Sequence, residues 1–170
     1  LLGLTWEAVN FEDGTIRIFQ QLQRHNGKYS FFPPKNSKSR IIAPAPYVMD
    51  LLREERKAQT EKRLLAGKLW DNKMNLIFTF EDGRNLTHQW IYKKFKDITA
   101  DIGIFDVRFH DLRHSYAVAA LRMGDDVKTV SENLGHASVA FTLDVYGHVT
   151  DEMKKSSAER MQAYITALNA

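Results

Sequence analysis

Tyr146, His136, Arg113, His110 and a lysine of the segment Pro33-Pro34-Lys35-Asn36-Ser37-Lys38-Ser39 are the side chains whose types and order could do chemistry. Together they suit the transfer of a phosphodiester to a phenol. Tyrosine can act as a covalent nucleophile. Its unperturbed pKa of about 10 leaves it mostly neutral near pH 7, so it needs a base, and the phosphate needs positive charge around it. Arg113 meets the second need, because its planar fork can hold two nonbridging oxygens at once. His110 lies three residues earlier, so one helix face can present both side chains to one phosphate. His110 can accept the phenolic proton or donate to a phosphate oxygen. His136 just precedes a predicted helix N-terminus, a place suited to anions, and can donate a further hydrogen bond. A lysine on the exposed basic turn can protonate the leaving oxygen. The energy of the broken ester stays in the phosphotyrosine, so rejoining requires neither ATP nor a metal.

Taken singly, each residue has an ordinary reading. Tyr146 would be a core aromatic on an amphipathic helix. His110 and His136 would be capping or partly buried histidines. Lys35 and Lys38 would be solvated turn charges, and Arg113 a salt-bridge partner. Order and spacing join them. The chain reads PPKNSKSRII, then FHDLRHSYA, then ENLGHAS, then TLDVYGH, with Tyr146 ten residues after His136. In that arrangement it resembles the catalytic domain of the tyrosine recombinases of the phage-integrase type. They carry a lysine on a β-hairpin turn, then H-x-x-R, then L-G-H, then a tyrosine about one helix later. The opening LLGLTWEAVNF is similar to the helix-to-strand junction of that family, so the likeness runs from Leu1 to about His148.

The resemblance implies a site-specific recombinase or integrase that cuts and rejoins double-stranded DNA through a covalent 3′-phosphotyrosine intermediate. Its catalytic set would be Tyr146, Arg113, His110, His136 and Lys35, with no cofactor and no metal. Lys35 is preferred to Lys38 because it falls on the family position after the prolines. His114 matches a histidine common in the family and is read as structural. His25, His88 and His148 carry no role, and neither Arg17 nor Arg24 is promoted. The family also has a first catalytic arginine a few residues before the segment matched by Leu1. The expectation is therefore a catalytic domain over residues 1–150 that lacks its first segment, together with the family's N-terminal DNA clamp. Such a fragment should fold yet be almost inactive. Residues 151–170 would form a tail helix that joins subunits of a tetramer on DNA or, equally, packs on its own core. The expected setting is cytoplasmic.

These side chains need elements to hold them. Residues 5–11 read as a short strand closed by Glu12-Asp13-Gly14. Residues 15–22 alternate well enough for a strand, with Ile16, Ile18 and Gln20 on one face. Tyr29 to Phe32 is strand-like after Asn26-Gly27, and Arg40-Ile41-Ile42 resumes extended structure. That predicts a small antiparallel three-stranded sheet near the N-terminus of a mainly helical α+β domain. Residues 47–66 form a helix with Val48, Leu51, Leu52, Leu64 and Leu65 among charges, and residues 76–80 an apolar extended segment. Thr87 caps a helix carrying Trp90, Ile91, Phe95 and Ile98, which Gly103 ends. Residues 110–123 form the next helix, closed by Gly124. Asp126 caps a short helix ending at Gly135, and Ser138 opens the helix that carries Phe141, Leu143 and Tyr146. Asp151 caps a last helix with Met153, Met161, Tyr164, Ile165 and Leu168 as its apolar positions.

Composition narrows the alternatives. The 170 residues contain no cysteine, which excludes disulfides, thiolate catalysis and cysteine-based zinc sites. A formal charge of +3 permits nucleic-acid binding without demanding it. No apolar run is long enough to span a bilayer, and the first residues lack the flank, apolar run and cleavage site of a signal peptide. The chief rival class is a metal hydrolase, since His110 and His114 stand at i, i+4 as on a zinc-binding helix. Asp111 replaces the glutamate of that motif, and Arg113 would put a positive charge beside the metal. A second rival is a DNA-binding module that has lost its chemistry. Retention of Lys35, His110, Arg113, His136 and Tyr146 argues against it.

Overall fold

The computed structural model describes residues 1–35, 38–136 and 138–168, with the backbone alone for 147–153. Two units share the chain, Leu1–Phe105 and Asp106–Ala170.

In the first unit, the predicted strand over 15–22 is two strands in two different sheets. β1 (Val9–Asn10), β2 (Thr15–Ile18) and β5 (Arg40–Ile42) form an antiparallel three-stranded sheet with β2 in the middle. β3 (Gln21–His25) and β4 (Lys28–Phe32) form a separate antiparallel hairpin. Its two-residue turn is Asn26-Gly27, with both residues at positive φ (49° and 79°), the backbone that matches the twist of the flanking strands. The break between β2 and β3 has a local cause. The Gln20 side chain turns to the Gly3 carbonyl and the Thr5 hydroxyl. The chain at Leu22 then passes so near Gly3 that a Cβ there would stand 2.6 Å from the Leu22 nitrogen. Only glycine fits at that crossing. The predicted strand over 5–11 shortens likewise, because Trp6–Ala8 form a 3-10 turn before β1.

Helix α1 (Pro46–Ala66) begins with its proline in the first turn, where the missing N–H costs nothing. Its buried face is Met49, Leu52 and Gln59, whereas Leu64 and Leu65 are 77% and 89% exposed. Apolar periodicity pointed to the two leucines because the residue that fastens the helix is polar. The Gln59 amide accepts from Trp6 Nε1 at 2.7 Å and donates to the carbonyls of Leu76 (3.0 Å) and Ile77 (2.8 Å). Those carbonyls are thereby satisfied without a strand partner, so residues 76–80 stay extended, with single bridges to Thr5 and Asn85. The core of this unit gathers Val9, Ile16, Met49, Leu52 and Ile77. Helix α2 (His88–Asp101) follows, and the Thr87 hydroxyl accepts from the Trp90 N–H as predicted.

The second unit is helical: α3 (Asp111–Arg122), α4 (Val127–Leu134) and α5 (Val139–Leu168). Asp126 caps α4, Gly135 ends it in the left-handed conformation, and Ser138 Oγ accepts from the Phe141 N–H, all as the sequence predicts. Ala117, Ala120 and Leu121 of α3, Val130 and Leu134 of α4, and Tyr146 of α5 make the core. The predicted start of a separate helix at Asp151 is not where the chain breaks. α5 stays helical past it, and the non-helical residue is Tyr146, at φ −117° and ψ 16°. The interruption falls at the residue whose ring is drawn into the core, and the helix resumes beyond it. The side chains of His148, Asp151 and Met153 lie outside the described set.

Candidate active site

The second unit assembles four of the sequence-predicted groups and adds one. The turn before α3 is fastened from both sides. The Arg108 N–H donates to the Asp111 carboxylate at 2.8 Å, and the Arg108 guanidinium donates to the same carboxylate at 2.9 Å. Hydrogen bonds from Arg108 hold the Asp111 carboxyl below its ordinary range. This sets His110 at the N-cap of α3, with Arg113 and His114 in the first turn. The His110 ring is exposed and meets His114 edge to face, with centroids 5.3 Å apart.

Gly135 turns the chain after α4, and the His136 N–H donates to the Ser131 carbonyl at 3.0 Å. His136 Nδ1 shares a 2.8 Å hydrogen bond with the hydroxyl of Thr142, which is fully buried on α5. Fixing Nδ1 this way orients the ring and leaves Nε2, on its opposite side, to face a ligand. Burial first, and then the positive Arg113 and His114, push the His136 imidazole below its ordinary value.

Tyr146 is 3% exposed. Its hydroxyl lies 2.6 Å from His114 Nδ1. A buried phenol needs an acceptor for its hydrogen, and among the described residues this nitrogen is the acceptor. The hydroxyl therefore donates and Nδ1 accepts. Burial raises the phenol above its usual value, while the Arg113 guanidinium pulls it back down. The converse holds at Arg113, which burial lowers and Tyr146 raises. Guanidinium, phenol and the two imidazoles of His114 and His136 thus form one electrostatic cluster. It can receive an anion beside a phenol whose ionised form the arginine favours.

Lys35 belongs to the other unit, exposed on the turn before β5, and Lys38 is exposed too. Between them, Asn36 and Ser37 lie outside the described residues. Sequence reasoning let His110 either accept the phenolic proton or donate to a phosphate oxygen and read His114 as structural; the imidazole on the phenol is that of His114. Its signal was the i, i+4 spacing from His110, which had been attached to a zinc reading. Among the described residues no three His, Cys, Asp or Glu side chains gather as a metal site, and no helix is long and apolar enough to cross a membrane. Thr142 was also missed, since a threonine at a helix position carries no distinctive mark.

This chain belongs to the phage integrase family, whose sequence profile matches residues 1–153. It is similar to the tyrosine recombinase XerC-like protein of Caldanaerobacter subterraneus subsp. tengcongensis, with 31% identity over 173 residues covering 95% of this chain and 44% of that protein. It is 35% identical to the tyrosine recombinase XerD of Oceanobacillus iheyensis over 121 residues, covering 68% of this chain and 38% of that one. Among solved structures its fold resembles the Tn1549 transposon integrase in complex with transposon right end DNA. There the TM-score is 0.74 and the identity 22%, covering 95% of this chain and 53% of that one. The chain spans less than half the length of these two curated relatives.

Proposed function

We propose that this protein cuts and rejoins double-stranded DNA at specific sites, with Tyr146 as the covalent nucleophile. One observation carries the reading. Tyr146 is at once a buried member of the helical core and the centre of a cluster of Arg113, His114 and His136. A core aromatic needs no such company, whereas a phenol that must become an ester oxygen does. Arg113 grips the nonbridging oxygens of a DNA phosphate through its fork, with His136 Nε2 and His110 donating beside it. Tyr146 Oη attacks phosphorus, a bond to the 3′-phosphate forms, and the bond to the 5′-oxygen breaks. Lys35 gives that oxygen its proton. Rejoining reverses the sequence, with a DNA hydroxyl attacking the phosphotyrosine.

Residues 1–150 serve as the catalytic portion and the helix beyond as a tail. On that tail Met161 and Leu168 are 59% and 67% exposed, and Tyr164 and Ile165 share the apolar stripe. An exposed stripe of this kind suits docking on a neighbouring copy, which fits a tetramer on DNA better than packing in cis. The working compartment is the cytoplasm.

The test is a duplex with a nick next to the scissile phosphate, which traps the covalent product. A chain extended upstream through the family's first arginine and DNA clamp should give an SDS-resistant adduct that survives excess EDTA, because its charge is supplied by side chains. Tyr146→Phe should bind the duplex and give none. Adduct formation that stops in EDTA and returns with zinc would overturn this reading.

A further inference from the structure

The geometry points to His114 as the base that takes the phenolic proton of Tyr146, an inference that rests on reading Tyr146 as the nucleophile. The contact is direct, at 2.6 Å from Nδ1 to the hydroxyl, within the reach that proton transfer requires. The ring centroids lie 5.9 Å apart with planes tilted by 55°, so the two rings meet through their heteroatoms and are not stacked. Water is a poor competitor, since Tyr146 is 3% exposed.

The neighbouring groups are committed elsewhere. His136 spends Nδ1 on Thr142. Arg113 has no acceptor to offer. His110 meets the His114 ring edge to face, with centroids 5.3 Å apart, and among the described residues no hydrogen bond joins it to the phenol. His114 therefore contacts both a histidine that can meet the phosphate and the tyrosine that attacks it.

The step balances without any further reagent. Neutral His114 is the Nε2–H tautomer, and its Nδ1 lone pair receives the proton as Tyr146 Oη bonds to phosphorus and the phosphorus–5′-oxygen bond breaks. The 5′-oxygen is protonated by Lys35. In rejoining, the DNA hydroxyl attacks and gives its proton back to Lys35, the phenolate leaves, and the His114 imidazolium returns the proton to it.

Single-turnover adduct formation on the nicked duplex tests this, using one substrate with an ordinary 5′-oxygen and one with 5′-sulfur at the scissile bond. Sulfur is a good leaving group and removes the need for an acid, but not for a base. His114→Gln keeps a polar side chain at the site and cannot hold the proton. It should slow adduct formation by about a hundredfold or more on both substrates, with duplex binding by fluorescence anisotropy unchanged. Lys35→Ala should be slow on oxygen and recover on sulfur. Imidazole added to His114→Ala should restore part of the rate, a gain that a purely structural histidine would not give. His114→Gln within about threefold of the wild-type rate, or recovering on sulfur as Lys35→Ala does, overturns the assignment, since general base catalysis is worth far more. Should His114→Gln melt early, the imidazole arm decides alone, and no rescue counts against the proposal. A wild-type chain extended upstream through the family's first arginine and DNA clamp that forms no adduct, or a Tyr146→Phe of it that forms as much, instead defeats the nucleophile reading.

Discussion

Tyr146→Phe removes one oxygen from the middle of the α3–α5 packing, and its cost follows from what that oxygen touches. The hydroxyl makes one hydrogen bond, to His114 Nδ1, worth about 1 kcal/mol net for a neutral pair. His114 is only half-buried, so with the phenol gone its ring can turn the freed nitrogen to water, and the penalty should not grow. The ring itself stays against Ala117, Leu121 and Val130. Tyr146→Ala removes that ring as well and leaves a cavity, which costs about 3–5 kcal/mol. For a unit of this size about 1 kcal/mol moves the midpoint by roughly 4–8 °C. Thermal unfolding followed by circular dichroism and calorimetry should therefore show a small downward shift for Tyr146→Phe and a collapse for Tyr146→Ala. Equal losses in the two variants would refute the division between ring and hydroxyl. A negligible loss in Tyr146→Ala would refute the burial of the ring. The outcome also decides how activity is read, because a phenylalanine variant that folds isolates the chemistry.

Gln59→Leu should destabilise the first unit by about 2–4 kcal/mol in denaturant titrations, because the Trp6 N–H and the Leu76 and Ile77 carbonyls each lose a partner. His136 is held below its ordinary value in the folded state, so the unfolded chain binds the extra proton first and stability rises with pH. Melting temperature should fall as pH drops below imidazole's ordinary range of about 6.5, and His136→Gln should flatten that part of the profile. Removing residues 154–170 should weaken assembly on DNA in gel-shift assays and leave the melting of the rest little changed, since residues 154–168 are exposed. A collapse of melting with assembly intact would place the tail on its own core.

The helical unit was legible because its boundaries are written in local chemistry. Asp126, Gly135 and Ser138 each satisfy a helix end through their own side chain or backbone, and such signals need no tertiary information. The N-terminal unit was less legible where distant residues decide. Gly3 crossing Leu22 splits a strand whose alternation looked continuous, and Gln59 fastens α1 through carbonyls seventeen and eighteen residues further on. At the site, residue types and order brought out His110, Arg113, His136 and Tyr146. The partner of the phenol was hidden because His114 stands beside Arg113 in the same motif. Only the helix geometry shows which of two histidines, one turn apart, faces α5.

The most direct measurement of the central claim is the identity of the residue joined to DNA. The trapped adduct would be digested with protease and nuclease, and the nucleotide-bearing peptide sequenced by mass spectrometry. The account predicts a single modified peptide with the mass of a 3′-linked nucleotide on Tyr146. Modification at Tyr116 or Tyr164, with Tyr146 unmodified, would contradict it.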